Sequence, residues 1–580
     1  MIKREYRWLQ STNDPAPIEQ LTKEINIPEA LSRVLVNRGI VTYAQAREFF
    51  RPRLEDLLDP FLMNGMDDAV KRVQQAVEAK EKVLIFGDYD VDGTNAAAMC
   101  TLFLREIGIE TTYHIPNRVT EGYGISKLGI DKAKQQGVTL IIAVDCGITA
   151  IQQVDYARSI GIEVIICDHH EPIDQIPNAV AVLDPIKPGC NYPFKYLCGC
   201  GVAFKLVQAI CKSQGREELS YKYLDFVTLA TAADIVPLVG ENRILTKIGL
   251  TLLNENPRVG ISALIESSGT QLGKINTGQI VFVLAPRINA VGRMGDATRA
   301  VHLLTSTDPA EASKLARVLE EENRNRRKMD EDTFALAQAM VERTHNVETD
   351  PVLVLHDTAW HPGVIGIVAS RLVEKYYRPT IMLTTIDGVA KGSARSIVGF
   401  DIYRALKKVE DKLIQFGGHK YAAGLIVALD RVDEFRKALS ETVNEMMPEE
   451  IRTPEIRIDA EITLSDISPR FLKILKEFAP FGPGNMRPIF MSKNVQSVGE
   501  PRIVGDEHLR FRVRQDKQVF DTIGFGLGSR LDSVRSNGKG LDVVFSVDEY
   551  EKTVSGPDSM LVEAFPQLKI KDLKINHEVS

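Results

Sequence analysis

Asp88, Asp90 and Asp92 alternate along the stretch Gly87-Asp88-Tyr89-Asp90-Val91-Asp92-Gly93, which lies between segments of opposite habit. The run before it, Val83-Leu84-Ile85-Phe86, is short and apolar and reads as a buried strand. The run after it, Thr94-Asn95-Ala96-Ala97-Ala98-Met99, reads as a helix start. Carboxylates this close repel when ionised, so either one takes a proton or a cation sits among them. At neutral pH a cation is the stronger solution, and all-oxygen ligands favour magnesium or manganese. The order D-x-D-x-D-G also opens a calcium-binding EF-hand. That loop needs Glu at its twelfth position, where this chain has Met99, and a helix ahead of it where this chain has a strand. On the motif alone, a solvated strand–helix turn with Asp92 as cap remains a second reading.

The rest of the chain weighs against that second reading. After Val83 strand-like runs recur at 111–115, 139–144, 162–167 and 180–183, with helical stretches between the first four. This is the pattern of a parallel sheet in an α/β domain. The first strand runs into Asp88-Tyr89-Asp90, the third into Asp145-Cys146-Gly147 and the fourth into Asp168-His169-His170. Open α/β sheets gather ligands beyond the carboxyl ends of their strands. A helical stretch, Leu224–Ala233, delivers a further acid, Asp234.

The length of 580 residues suggests about three or four domains. No apolar run is long enough to cross a bilayer, and Met1–Trp8 has no apolar core of the kind a secretory signal needs, so the expected compartment is the cytoplasm. Seven cysteines argue against a disulfide framework, and Cys190, Cys198 and Cys200 lack the C-x-x-C pairs of a zinc site. With a net charge of −7, a nucleic-acid partner needs a local basic surface.

Further along stand Pro116-Asn117-Arg118, the run Pro286–Arg293 containing Arg287 and Asn289, Gly392-Ser393-Ala394-Arg395-Ser396 and the run Gly417–Gly424 containing His419. Together with the Asp88–Gly93, Val144–Gly147, Asp168–His170 and Ala233-Asp234 motifs, this ordered set resembles the DHH phosphoesterase superfamily. Within it, the set is similar to the bacterial single-strand-specific exonucleases over nearly the whole chain. The resemblance implies two divalent cations, Mn2+ or Mg2+. Asp88 and Asp90 are assigned to different ions, Asp145 bridges them, and His169 and Asp234 complete the second site. His170 is a ligand, a contact to the reacting phosphate or leaving oxygen, or an orienting group, and Asp168 is expected to orient. Arg118, Ser393 and Arg395, with help from Arg287, are candidates for a terminal 5′-phosphate. Asn289 and His419 join the substrate-binding set, with His419 expected to face the metals across a cleft. One departure is Leu84, where related pyrophosphatases carry His, so one metal site is expected to have fewer protein ligands.

The expected architecture is two α/β domains, DHH catalytic and DHHA1-like, joined by a long helix and followed by an OB-fold β-barrel. The boundaries are a helical or irregular segment 1–65, the catalytic domain 66–305, a connector helix 306–345, the accessory domain 346–450, the barrel 451–550 and a tail 551–580. The Gly392–Arg395 and Gly417–His419 stretches read as small-residue loops. In the barrel, Arg510, Arg512 and Arg514 share one face by alternation, and Phe511 and Phe525 are candidates for base stacking. The implied activity is a 5′-to-3′ exonuclease on single-stranded DNA that releases 5′-mononucleotides in repair and recombination, with a helicase and a single-strand-binding protein as partners. Two alternatives stay open: a phosphodiesterase of the same superfamily acting on short oligonucleotides or cyclic dinucleotides, and an inactive single-strand-binding scaffold.

Overall fold

The computed structural model describes residues 5–12, 14–118, 120–536, 540–555 and 560–575. These form two compact units. The first holds Pro52–Met329 together with Pro480–Met486, and the second holds the other described residues.

The first unit is built on five parallel strands: β1 (Lys82–Gly87), β2 (Glu110–His114), β3 (Leu140–Val144), β4 (Glu163–Cys167) and β5 (Ala181–Leu183). Their order across the sheet is β2-β1-β3-β4-β5. Both faces are covered, which is why these strands read as unbroken apolar runs. Val83, Ile85, Ile142 and Ile165 enter one core cluster, whereas Leu84, Phe86, Ile141 and Ile166 enter another. The period-two alternation of a strand thus feeds two separate cores. The chain moves from β1 to β2 on one side and to β3 on the other. This reversal places a topological switch point between β1 and β3, where open α/β sheets form their ligand crevice.

Helix α1 (Val91–Glu106) follows β1, and α2 (Gly199–Ser213) and α3 (Leu224–Ala233) pack into the same core as it. Helix α2 is anchored by a buried ion pair. Lys205 Nζ donates to Glu241 Oε1 at 2.8 Å and to the Leu58 carbonyl at 2.8 Å. Tyr192 donates to Glu241 Oε2 at 2.6 Å, and the Leu58 N–H donates to Oε1 at 3.0 Å. Every oxygen of this buried carboxylate is occupied, so the segment before β1 and two helices are locked together. Helix α4 (Ala285–Met294) completes this unit, and α5 (Pro309–Thr344) begins in it and continues into the second.

The second unit contains a mixed sheet and a barrel. The sheet comprises β6 (Leu353–His356), β7 (Thr380–Ile386), β8 (Val389–Arg395), β9 (Gln415–His419) and β10 (Ala422–Ala428), ordered β9-β10-β8-β7-β6, with α6 (Pro362–Tyr376) packed on it. The Gly392–Arg395 and Gly417–His419 stretches are therefore strands and not loops. Their glycines are compatible with a ladder because β10 pairs with β8 on one side and β9 on the other, with Gly424 opposite both Ser393 and Gly417.

The barrel consists of β11 (Phe490–Val504), β12 (His508–Gln515), β13 (Gln518–Gly524), β14 (Leu541–Ser555) and β15 (Met560–Ile575). It closes through pairing of β11 with β14. It extends past the expected limit at 550, because β15 pairs antiparallel with β14 and parallel with β13. Pro566 obscures this strand in the sequence, but the ladder to β13 starts one residue later, at Gln567. Residues 556–559 and 576–580 of the expected tail lie outside the described residues. The N-terminal stretch is also divided. Arg7–Gln10 pairs in parallel with Glu455–Ile458 in the second unit, while Pro52 onward belongs to the first.

On β12, Arg510, Arg512 and Arg514 alternate with buried Leu509, Phe511 and Val513. Phe511 is thus a core residue and not a stacking platform. Phe525 is 56% exposed and lies against His508. Among the described residues no helix is long and apolar enough to cross a membrane.

Lys205→Met leaves the Glu241 carboxylate buried without its cation and is expected to lower stability by about 3–5 kcal/mol. Urea unfolding followed by far-UV circular dichroism measures this, and an unmoved transition midpoint contradicts it.

Candidate metal centre

The edge formed by the carboxyl ends of β1, β3 and β4 carries the acid cluster. Asp88 follows β1, Asp145 follows β3, and Asp168, His169 and His170 follow β4. Asp234 arrives from the end of α3. Ligand atoms of Asp88, Asp90 and Asp145 all lie within 4.8 Å of one another. The same holds for Asp145, His169 and His170, and for Asp92, His169 and Asp234. His169 Nε2 is the hinge of the second half, at 3.2 Å from Asp145 Oδ1, 3.7 Å from Asp92 Oδ2 and 3.8 Å from Asp234 Oδ2. All six residues expected to act at the centre, Asp88, Asp90, Asp145, His169, His170 and Asp234, are therefore gathered in one unit.

Local geometry explains how the chain tolerates this crowding. Asp90, not Asp92, caps α1, with Oδ1 accepting from the Gly93 N–H at 3.0 Å. Asp92 turns to a different helix, accepting the Gly199 N–H at 2.6 Å and the Cys200 N–H at 2.8 Å at the start of α2. It thereby holds that helix end against the cluster. A Cβ on Gly199 would stand 2.5 Å from Asp145 Oδ1, so only glycine fits there. Gly93 is constrained in the same way, since a Cβ would fall 2.5 Å from the Asp88 nitrogen. Asp145 itself has φ +60, in the left-handed region that Asp enters more readily than most residues.

The electrostatics call for positive charge. Burial first, and the neighbouring carboxylates second, push Asp88, Asp90, Asp145 and Asp234 above the ordinary carboxylate range. Asp88 Oδ1 and Asp145 Oδ1 are buried with no hydrogen-bond partner. Burial lowers His169 and so favours its neutral, ligating form. Oxygen donors with a single imidazole form a ligand set suited to Mn2+ or Mg2+. The cysteines take no part in any of these groups. All seven are free and buried, and Cys198 caps α2 through its sulfur.

Asp168 and His170 behave differently. Asp168 Oδ2 accepts the Ile148 N–H at 2.9 Å, and Oδ1 faces His170 Nδ1 at 2.7 Å. Burial acts to raise Asp168, but the His170 hydrogen bond and charge outweigh it and hold the carboxyl below its ordinary value. For His170, burial opposes the charged ring, yet the Asp168 hydrogen bond and charge push it up to about 9. Asp168 therefore holds the His170 ring beside the cluster and favours its charged form.

Two residues here were not singled out in the sequence. The Tyr123 hydroxyl donates to the Asp145 carbonyl at 3.2 Å and lies 3.2 Å from His170 Nδ1. The Tyr89 ring meets Tyr123 edge-on at 6.5 Å and carries the Arg118 guanidinium at 5.4 Å. The available signals were an aromatic between two motif acids and a tyrosine flanked by Gly122 and Gly124.

The substrate-binding candidates divide into three groups. Arg118 stands at the cluster, where its charge acts on Asp88. Asn289 supports the motif from behind, with Oδ1 accepting the Val91 N–H at 3.1 Å. Arg287 is withdrawn from solvent, at 5% exposure, because its guanidinium is bound to Glu320 at 2.5 Å and to the Val283 carbonyl at 2.6 Å. It ties α4 to α5 and does not present itself to a phosphate. Ser393, Arg395 and His419 belong to the second unit. Arg395 donates to Ser393 Oγ at 2.8 Å, and Arg395, Ala422 and His419 are in register across β8, β10 and β9, which puts Arg395 and His419 on one face.

Residues 82–231 match the family described as DHH family, N-terminal domain, residues 349–445 match the DHHA1 domain, and residues 458–554 match the RecJ OB domain. The single-stranded-DNA-specific exonuclease RecJ of Bacillus subtilis (strain 168) is 36% identical over 581 residues, covering 99% of this chain and 72% of its own length. The crystal structure of RecJ in complex with Mn2+ from Thermus thermophilus is similar with a TM-score of 0.82 at 26% identity, over 99% of this chain and 80% of that one. The Mg2+ complex from the same organism gives 0.76 at 25% identity, over 99% and 79%.

A carboxyl whose folded pKa is raised holds its proton more tightly folded than unfolded. Its contribution favours the metal-free fold at low pH and is lost as pH rises through the folded value. Asp88, Asp90, Asp145 and Asp234 all shift this way, so ionising them strains the metal-free protein and frees ligands for a cation. Mn2+ is therefore expected to raise the melting temperature more at about pH 7.5 than at about pH 5.5. Paired thermal scans in EDTA and in Mn2+ measure this, and equal increments at both pH values contradict it.

Proposed function

The chain belongs to the RecJ family of single-stranded-DNA-specific exonucleases, and on that premise we propose that it degrades single-stranded DNA from the 5′ end and releases 5′-mononucleotides, using two divalent cations. The observation that carries this reading is the convergence of Asp88, Asp90, Asp145, His169 and Asp234, from separate strand ends and a helix end, on one cluster. Asp88 would serve one ion and Asp90, His169 and Asp234 the other, with Asp145 available to both. Asp92 steadies the second group through α2. When bound, such ions polarise a phosphodiester and make water acidic enough to attack near neutral pH.

The chain's own groups supply the remaining steps. Arg118, held over Tyr89, binds the phosphate at the strand terminus. In the second unit, Ser393 and Arg395 offer a hydroxyl and a guanidinium suited to a phosphate, with His419 on the same face of their sheet. Hydrolysis breaks the P–O3′ bond of the terminal nucleotide, and the departing O3′ needs a proton. The Asp168 contact favours the charged form of His170 and engages its Nδ1, and its Nε2, 3.3 Å from the Tyr123 hydroxyl, would deliver that proton. Outside the centre, Arg510, Arg512 and Arg514 form a local basic strip on the barrel, where positive charge and exposed Phe525 suit a single strand. We further propose a role in DNA repair and recombination in the cytoplasm, with a helicase and a single-strand-binding protein as partners that keep strands open.

Incubating end-labelled single strands with Mn2+ or Mg2+ tests the reading directly. Mononucleotide products appearing first from the 5′ end are expected. Attack from the 3′ end, or equal turnover of dinucleotides and long strands, rejects it. Asp145→Ala is expected to lower hydrolysis by at least about 100-fold while the far-UV spectrum is retained. Arg395→Ala should slow attack on 5′-phosphorylated strands by about 10- to 100-fold. An equal loss on strands lacking that phosphate would remove Arg395 from the phosphate grip.

A further inference from the structure

Asp234 stands at the end of α3, and the chain must turn at once through Ile235-Val236-Pro237-Leu238. That turn is strained. Ile235 has φ +61, a conformation that a β-branched side chain resists, and its side chain is 61% exposed. Such a conformation persists only where neighbouring structure enforces it. One neighbour is Asn242, whose side-chain amide donates to the Pro237 carbonyl at 3.0 Å. The other is Pro480–Met486, a segment remote in sequence that belongs to the same compact unit.

This segment is built to fit the turn. The Leu238 N–H donates to the Pro483 carbonyl at 2.7 Å. The Thr277 hydroxyl donates to the Phe481 carbonyl at 2.6 Å. Within the segment Gly482 and Asn485 exchange backbone hydrogen bonds at 3.1 and 2.9 Å, and the Asn485 side chain donates to the Pro480 carbonyl at 2.7 Å. Asn485 is buried, so the segment is rigid in its own right. Its glycines are set by close approach. A Cβ on Gly482 would stand 2.6 Å from Leu238 Cδ1, and Gly484 has φ +71 with its Cβ position 3.0 Å from Val239 Cγ1.

We propose that Pro480–Met486 is a positioning segment for the metal centre, holding the turn after α3 in the path that keeps Asp234 beside His169. It acts through the turn residues Pro237, Leu238 and Val239. The inference rests on the reading of the Asp234 cluster as a cation site, and its test separates the two.

Mn2+ binding to the full chain is read from the paramagnetic resonance signal of the free ion, with a metal-free melting curve taken alongside. Gly482→Ala pushes Leu238 away and is expected to weaken binding of one Mn2+ by about tenfold, the size of effect typical for groups that orient ligands. Thr277→Val removes one hydrogen bond without changing volume and should act in the same direction, more weakly. Adding Leu238→Ala to Gly482→Ala makes room for the new methyl and should recover part of the lost affinity. Unchanged Mn2+ isotherms in both single variants would overturn the proposal. So would a fall in the metal-free melting temperature of both that accounts for the whole loss of affinity, since the segment would then be a general clasp. Absence of Mn2+ binding by the unaltered chain would instead reject the cation site itself.

Discussion

Buried carboxylates that face one another cannot all be ionised unless a cation joins them. Asp88, Asp90, Asp145 and Asp234 are brought to this condition at the switch point of a parallel sheet, and the surrounding structure serves to hold them there. The sheet fixes two of the strand ends by its ladder, with the Asp145 N–H still bonded to the Cys167 carbonyl at 2.9 Å. Helix α2 then closes one side, tied at its start to Asp92 and further along through Lys205 and Glu241.

Neighbouring groups of the same chemical type are given different work by their partners. Asp92 and Asp168 are as buried as Asp88 and Asp145, and their carboxylates accept backbone N–H groups of other segments. Asp88 and Asp145 each keep a buried oxygen with no hydrogen-bond partner. His169 and His170 are adjacent in sequence and diverge for the same reason. Burial favours neutral His169, and Asp168 keeps His170 charged. One tripeptide thus carries two imidazoles whose surroundings favour opposite charge states.

The nucleic-acid partner is reconciled with a net charge of −7 by segregation. Acidic groups are concentrated where cations are needed, and arginines are lined up along one strand of the barrel. Alternation along β12 buries Leu509, Phe511 and Val513 and turns Arg510, Arg512 and Arg514 outward, where Arg512 pairs with Asp521.

Short-range pattern is what the amino-acid sequence by itself determined. The apolar runs at Val83–Phe86 and 139–144, the acids at their ends and the helix from Leu224 to Ala233 are local features, and each follows from the character of adjacent residues. The acids and imidazoles after β1, β3 and β4 were legible because strand ends of a parallel sheet share one edge, whereas Asp234, at a helix end, was joined to them by the family resemblance. Long-range pairing decided the rest. The Gly392–Arg395 and Gly417–His419 stretches became strands because β10 lies between them, which no local propensity of Gly, Ser or His would indicate. Met560–Ile575 joined the barrel through two ladders despite Pro566. Arg287 turned inward because Glu320, on another helix, offered a charge to meet. Asp92 capped a helix more than a hundred residues away rather than its own. In each case the deciding partner is distant in the chain, and the energy of the contact exists only once folding has brought the two together.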